Sequence, residues 1–168
     1  MHSFQPISLS ELELNVFKTI GEEWMLVTAE KDGKTNTMTA SWGGIGVLWG
    51  KNVAYVFIRE SRYTKELIDS SDTFSLSFFR GYNKRELKYL GAVSGRDEDK
   101  IKNARFSVDY LNGTPYIDEA TSVLICRKMA AQPISKEFFL DSNIDSTWYK
   151  DGDYHVMYVA EITDFLAR

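Results

Sequence analysis

Short runs in which apolar and polar residues alternate recur along this chain, and turn dipeptides separate them. Phe74, Leu76 and Phe78 alternate with Ser75 and Ser77, the pattern of a half-buried strand. Trp24 to Glu30 reads as another strand, closed by the hairpin signal Asp32-Gly33. The stretch from Asn36 to Trp49, NTMTASWGGIGVLW, is its return strand, and Lys51-Asn52 turns the chain into VAYVFIRE, a further strand. Asn112-Gly113 and Asp151-Gly152 mark later turns, with Ser122 to Ala131 a well-buried strand between them. In the last run Tyr154, Val156, Tyr158, Ala160 and Ile162 alternate with His155, Met157 and Val159. Apolar residues therefore point both ways, and this strand is predicted to be covered on both faces. Helical spacing is confined to three short segments. Ser8 or Ser10 caps a stripe of Leu12, Val16, Phe17 and Ile20; Tyr63 to Ser70 turns Leu67 and Ile68 inward; Asn83 to Leu90 ends near Gly91.

Many strands, tight turns and few short helices predict a mainly β fold with short inserted helices, an antiparallel barrel or sandwich. Strands do not alternate with long helices, so a doubly wound parallel sheet is a poor fit. The chain has 168 residues without repeat, low-complexity tract or linker, so one domain over 1–168 is expected.

Charge and composition narrow the function classes. With 20 Lys and Arg against 24 Asp and Glu, the net charge of −4 argues against general nucleic-acid binding but leaves room for a local anion site. The opening MHSFQPISLSE has neither a basic segment nor an apolar core, so no signal peptide is expected, and no apolar run is long enough to cross a bilayer. The single cysteine, Cys126, lies in the apolar SVLICRK and forms no internal disulfide; a cytoplasmic location is expected. His2 and His155 are the only histidines, too few with one cysteine for a structural zinc site. No GxGxxG or Walker loop occurs, and no nucleophile stands at a recognisable spacing from His155.

Three stretches have the residue types for ligand chemistry. RESRYTK, Arg59 to Lys65, sets two arginines before a helix start, where Thr64 and free amides would complete an anion shell. Taken alone it reads better as a solvated basic edge paired with Glu60 and Glu66, since surface ion pairs are common. GAVSGRDEDK, Gly91 to Lys100, offers Ser94, Gly95, Arg96 and Lys100, or a loop whose charges neutralise one another. In NTMTASWGGIGVLW, hydroxyls precede glycines. Either a flat ligand approaches the backbone there, with Thr39 and Ser41 donating to it, or the chain bends sharply.

Taken in order, NTMTASW, RESRYT, FSLSFF, LGAVSGRDEDK and YHVMYVAEI, with WMLVTAE before the first turn and WYKDGDYH near the end, resemble the flavin reductase-like family, in its flavoredoxin-like branch, over roughly Asn15 to Ile162. The resemblance implies an FMN-binding split barrel that works as a homodimer. It implies Thr39, Ala40, Ser41 and Trp42 against the flavin, and Arg59, Arg62, Tyr63 and Thr64 about the phosphate. Ser94, Gly95 and Lys100 would close the site, with His155 nearby. It further implies reduction by NADH or NADPH with electrons passed to free flavin or another acceptor, or, alternatively, a flavin carrier reduced by a partner protein. One departure is Ala160, where such proteins often have glycine.

Overall fold

The computed structural model describes residues 3–168; His2, half of the histidine count, lies outside them. Gln5–Ile7 forms β1. Ser8 then caps a single 3-10 turn, Leu9–Glu11, and a π-helical turn follows at Phe17–Glu22. The expected N-terminal helix is thus broken in two. Ile20 is buried and Leu12 and Val16 pack on the core, but Phe17 is 86% exposed, so the proposed stripe loses a member.

Strands β2 (Met25–Lys31) and β3 (Lys34–Ala40) form the hairpin predicted at Asp32-Gly33, whose φ values of 50° and 73° suit that dipeptide. NTMTASWGGIGVLW is not one strand. It is β3, a break at Ser41-Trp42, and β4 (Gly43–Leu48). Strand β5 (Lys51–Arg59) follows a turn at Trp49-Gly50, both at positive φ, two residues before the predicted one. Then come α1 (Tyr63–Ser70), β6 (Thr73–Phe78), α2 (Lys84–Ala92) and α3 (Lys100–Asn103). Helix α2 ends at Ala92, next to the predicted Gly91. The hairpin β7 (Val108–Leu111) and β8 (Thr114–Ile117) turns at Asn112-Gly113 as expected. Strand β9 (Ser122–Pro133), the short α4 (Asn143–Trp148) and β10 (His155–Ala167) complete the chain.

Every pairing is antiparallel, in the order β3-β2-β6-β9-β10-β5-β4, with β1 added to β10. The chain therefore leaves one end of this path at Ala40 and re-enters at the other end at Gly43. The sheet coils without closing, as a split barrel does, and the predicted mainly β fold with short helices is the one observed.

Met25, Val27, Phe74, Leu76, Phe78, Ile58, Leu124 and Tyr158 fill the barrel; Leu26, Phe79, Leu87, Leu90 and Ile117 form a second core outside it. Ser75 and Ser77, predicted to face solvent, are fully buried between these cores. The Ser75 hydroxyl donates to the Pro115 carbonyl at 2.6 Å, and Ser77 Oγ accepts from the Ile117 amide at 3.4 Å. The β7–β8 hairpin covers both serines, and the hydroxyls suit that position because Ser75 donates a hydrogen bond to the hairpin and Ser77 accepts one from it. Ala160 is buried at a bulge between Val159 and Ala160, inside the barrel core and away from the groove described next. Among the described residues no helix is long and apolar enough to cross a membrane, and no group of acidic, histidine and cysteine side chains is arranged to hold a metal.

Candidate functional site

A groove runs across the ends of β3 and β5 to the start of α1. It has two lobes of about 170 and 210 Å³ that share Met38, Arg59 and Arg62 as a common wall. Thr39, Ala40, Ser41, Trp42 and His155 line the first lobe; Tyr63, Thr64, Ser94, Gly95 and Lys100 line the second. The residues that the resemblance assigns to the cofactor thus border one surface, although four separate stretches of the chain supply them.

The first lobe owes its character to the break in the sheet. Pairing of β3 with β2 stops at Ala40, and pairing of β4 with β5 starts at Gly43. Among the described residues neither Ser41 nor Trp42 has a backbone hydrogen-bond partner, so their amides and carbonyls are left for solvent or a ligand. The Trp42 ring stands edge-on to Trp148 with centroids 5.1 Å apart, and tilts against His155 at 5.0 Å. Gly43 permits this turn: it has φ 152°, and a Cβ there would sit 2.5 Å from the Tyr55 carbonyl oxygen. Thr39 does not serve as expected. Its hydroxyl donates to the Leu87 carbonyl at 2.5 Å, tying β3 to α2, so its donor is spent within the protein.

The second lobe is cationic although the chain is acidic. Arg59, Arg62, Arg96 and Lys100 line it, with Asp153 the acidic residue among its lining. Arg62 precedes α1, and the amides of Tyr63 and Thr64 are in the first turn, where no intrahelical acceptor exists. One Arg62 amino group donates to the Gly91 carbonyl at 3.0 Å, leaving its other donors available to the groove. Asp153 is held in place locally, accepting from the Ser61 amide at 3.1 Å and hydroxyl at 2.6 Å.

Several of these side chains do something other than the sequence suggested. Arg59 donates to the carbonyls of Asp153 at 2.7 Å and Trp148 at 3.1 Å, so its fork ties down the segment before β10 while its charge still faces both lobes. Lys100 is 4% exposed and donates to the carbonyls of Leu90 and Val93 at 2.8 and 3.1 Å, closing the C-terminal end of α2. Burial, and then the Arg62 charge, push its amine down to about 8. Gly95 is small for a protein neighbour. A Cβ there would overlap the Asn36 side-chain amide, which donates to Thr64 Oγ1 at 2.8 Å. Asn36, a buried polar residue beneath the groove, was not singled out from the sequence; its place within an apparently ordinary strand gave no signal.

His155 is 7% exposed, and its Nδ1 lies 2.9 Å from the Tyr149 hydroxyl. Burial, followed by the Arg59 charge, lowers its imidazole to about 4 against a smaller opposing effect of Asp153. The ring is accordingly neutral at pH 7. Arg96 was also undervalued: its guanidinium stacks over Tyr63 at 5.1 Å, pairs with Glu66 and donates to the Ser61 carbonyl at 3.2 Å.

The donor set fits a planar ring system carrying a phosphate. Cations and helix-start amides converge at one end, and unpaired strand backbone with aromatic walls at the other.

Comparison with known proteins agrees with this. A family model described as "Flavin reductase like domain" matches residues 17–168. Among solved structures, a flavoredoxin from Methanosarcina acetivorans is 26% identical, with a TM-score of 0.66 over 96% of this chain and 76% of that one. The FMN-binding domain of a flavin reductases-like enzyme from Shewanella baltica OS155 has 17% identity and a TM-score of 0.71, over 99% of this chain and 78% of that one. Flavoredoxin of Desulfovibrio vulgaris (Miyazaki F) is 23% identical with a TM-score of 0.68, over 98% and 77%. No curated protein matches the chain.

Proposed function

Because the chain belongs to the flavin reductase-like domain family, we propose that it binds FMN along this groove and works as an oxidoreductase. It takes reducing equivalents from NADH or NADPH and passes them to free flavin or another acceptor. The observation that carries the reading is the polarity of the groove, with cations and helix-start amides at one end and unpaired Ser41-Trp42 backbone beside aromatic rings at the other.

In this reading Arg62, the Tyr63 and Thr64 amides, Ser94 and the Arg96 and Lys100 charges hold the phosphate, with Arg59 adding charge from its fixed position. Thr39, Ala40, Ser41 and Trp42 border the flavin, the Ser41 and Trp42 backbone meeting the polar edge of the ring and the Trp42 side chain walling the groove. His155 lies at the Trp42 end. FMN, when bound, supplies the redox chemistry, and the protein's part is to bind, orient and exclude water. This accounts for a site without an acid–base pair.

Likeness to two proteins named flavoredoxin supports a second reading, a flavin carrier reduced by a partner protein. Anaerobic mixing of the FMN-loaded protein with NADH or NADPH separates the two. Prompt loss of the flavin absorption is the expected result; a flavin that stays oxidised under both, yet is reduced by dithionite, rejects the nicotinamide reading in favour of the carrier.

The same reading includes a homodimer. Strand β4 ends the sheet path, and Val47 and Trp49 on and beside it are 72% and 60% exposed, an apolar edge of the kind that pairs with a second copy. Sedimentation at micromolar concentration is expected to give twice the chain mass, and a monomer there would remove the dimer from the account.

A further inference from the structure

Tyr149 lies in the WYKDGDYH stretch but is given no role by the resemblance, and it does not line the groove, yet it grips a residue that does. Its hydroxyl is the partner of His155 Nδ1, at 2.9 Å, in a buried contact. Three neighbours fix the phenol. Tyr154 stacks on it at 4.7 Å, Phe139 on it at 5.7 Å, and the Arg59 guanidinium lies 5.4 Å from its ring centre. Arg59 is itself bonded to the carbonyls on either side, at Trp148 and Asp153. The imidazole is held from its other side by Trp42.

Two proton arrangements are compatible with one hydrogen bond between these atoms. If Nδ1 carried the proton, it would donate to the Tyr149 oxygen. The phenol proton, 7% exposed as a residue, would then have no acceptor among the described residues. If Nδ1 is bare, the phenol donates to it and both atoms are satisfied, with the remaining imidazole proton on Nε2. Burial holds the Tyr149 phenol above its ordinary value, so at pH 7 it has its proton to give. Nε2 has no partner among the described residues, and His155 lines the first lobe.

We propose that Tyr149 is a positioning residue: its hydroxyl fixes His155 in the tautomer protonated on Nε2, so that the Trp42 end of the groove presents a hydrogen-bond donor to an acceptor atom of the bound ring system. The tautomer rests on the contacts above; the donor role rests on the flavin reading. The charged and titratable groups about the ring are Arg59, Arg62, Asp153 and Tyr149; burial first, and then the two arginines against Asp153, keep a second proton off it.

The test uses full-length protein in a His2→Gln background, which leaves His155 as the sole histidine. Nitrogen–proton correlation spectra of the ligand-free imidazole are expected to show protonated Nε2 and bare Nδ1. Tyr149→Phe keeps the ring stack and removes the hydroxyl. It is expected to give a mixture of tautomers and about fivefold weaker FMN binding, the loss of one hydrogen bond. His155→Gln, which keeps a side-chain donor, is expected to bind FMN more tightly than His155→Leu. A protonated Nδ1 in the unsubstituted Tyr149 protein, or a tautomer unchanged in Tyr149→Phe, overturns the assignment. Equal FMN affinity in the Gln and Leu variants overturns the donor role. Failure of the parent protein to bind FMN defeats the flavin reading and the donor role with it, while the spectra still decide the tautomer.

Discussion

Replacing Arg62 by alanine is expected to lower FMN affinity by about 10- to 100-fold and to leave the fold intact. Arg62 is the cation best placed for a phosphate. It precedes α1, borders both lobes, and commits one amino group to the Gly91 carbonyl while its remaining donors are unengaged. Arg59 and Lys100, by contrast, already direct donors to backbone carbonyls. A hydrogen bond to a charged group contributes about 1.5–3 kcal/mol, and each 1.4 kcal/mol is about a tenfold change in affinity. Stability should change little, because α1 is anchored elsewhere. Tyr158 donates to Asp69 at 2.5 Å, Lys65 donates to Asp69 at 2.7 Å, and Lys128 reaches the Ile68 carbonyl at 2.6 Å. Titration of FMN beside a thermal melt reads both quantities. Unchanged affinity with an unchanged melt would remove Arg62 from the site.

The second large effect is on the fold. Gly43→Ala is expected to destabilise the protein by about 2–5 kcal/mol, a fall in melting temperature of about 5–15 °C. A Cβ at Gly43 would lie 2.5 Å from the Tyr55 carbonyl oxygen, an atom of the neighbouring strand that cannot swing away, and φ 152° is a conformation that side chains rarely adopt. The residue stands where the chain passes from one end of the sheet to the other, so relief of the clash would also move Trp42. Gly44→Ala is the internal control. Its Cβ would meet nothing nearer than the Tyr55 ring, at 3.8 Å, and the change should be within about 1 kcal/mol. Equal melting of the two variants would contradict the role given to Gly43.

These positions show what the sequence made legible. Asp32-Gly33 and Asn112-Gly113 could be read because both residues of such turns take positive φ, which few residue types accept. The break at Ser41-Trp42 could not, since strand-forming residues flank it and glycine marks a bend, a bulge or a ligand contact alike. The serines of β6 were misread because alternation records which side chains are polar and not what covers them. Lys100 and Gly95 line the groove, but their partners Leu90, Val93 and Asn36 were not legible because tertiary contacts set them. Tyr149 lies in the WYKDGDYH stretch, but its role was not legible, because nothing local distinguishes a phenol that hydrogen-bonds six residues along the chain. The groove as a whole was legible only through the ordered set of motifs that resembles the flavin reductase-like family. Arg59 to Lys65 alone reads better as a solvated edge.

The central claim is that this groove holds a phosphorylated flavin by its cationic end. Titrating flavin-free protein with FMN and with riboflavin, which lacks the phosphate, tests it most directly. Saturable binding of FMN near one per chain is expected, with a dissociation constant of about 1 μM or lower, and at least about tenfold weaker binding of riboflavin. Absence of FMN binding, or equal affinity for the two flavins, would contradict it.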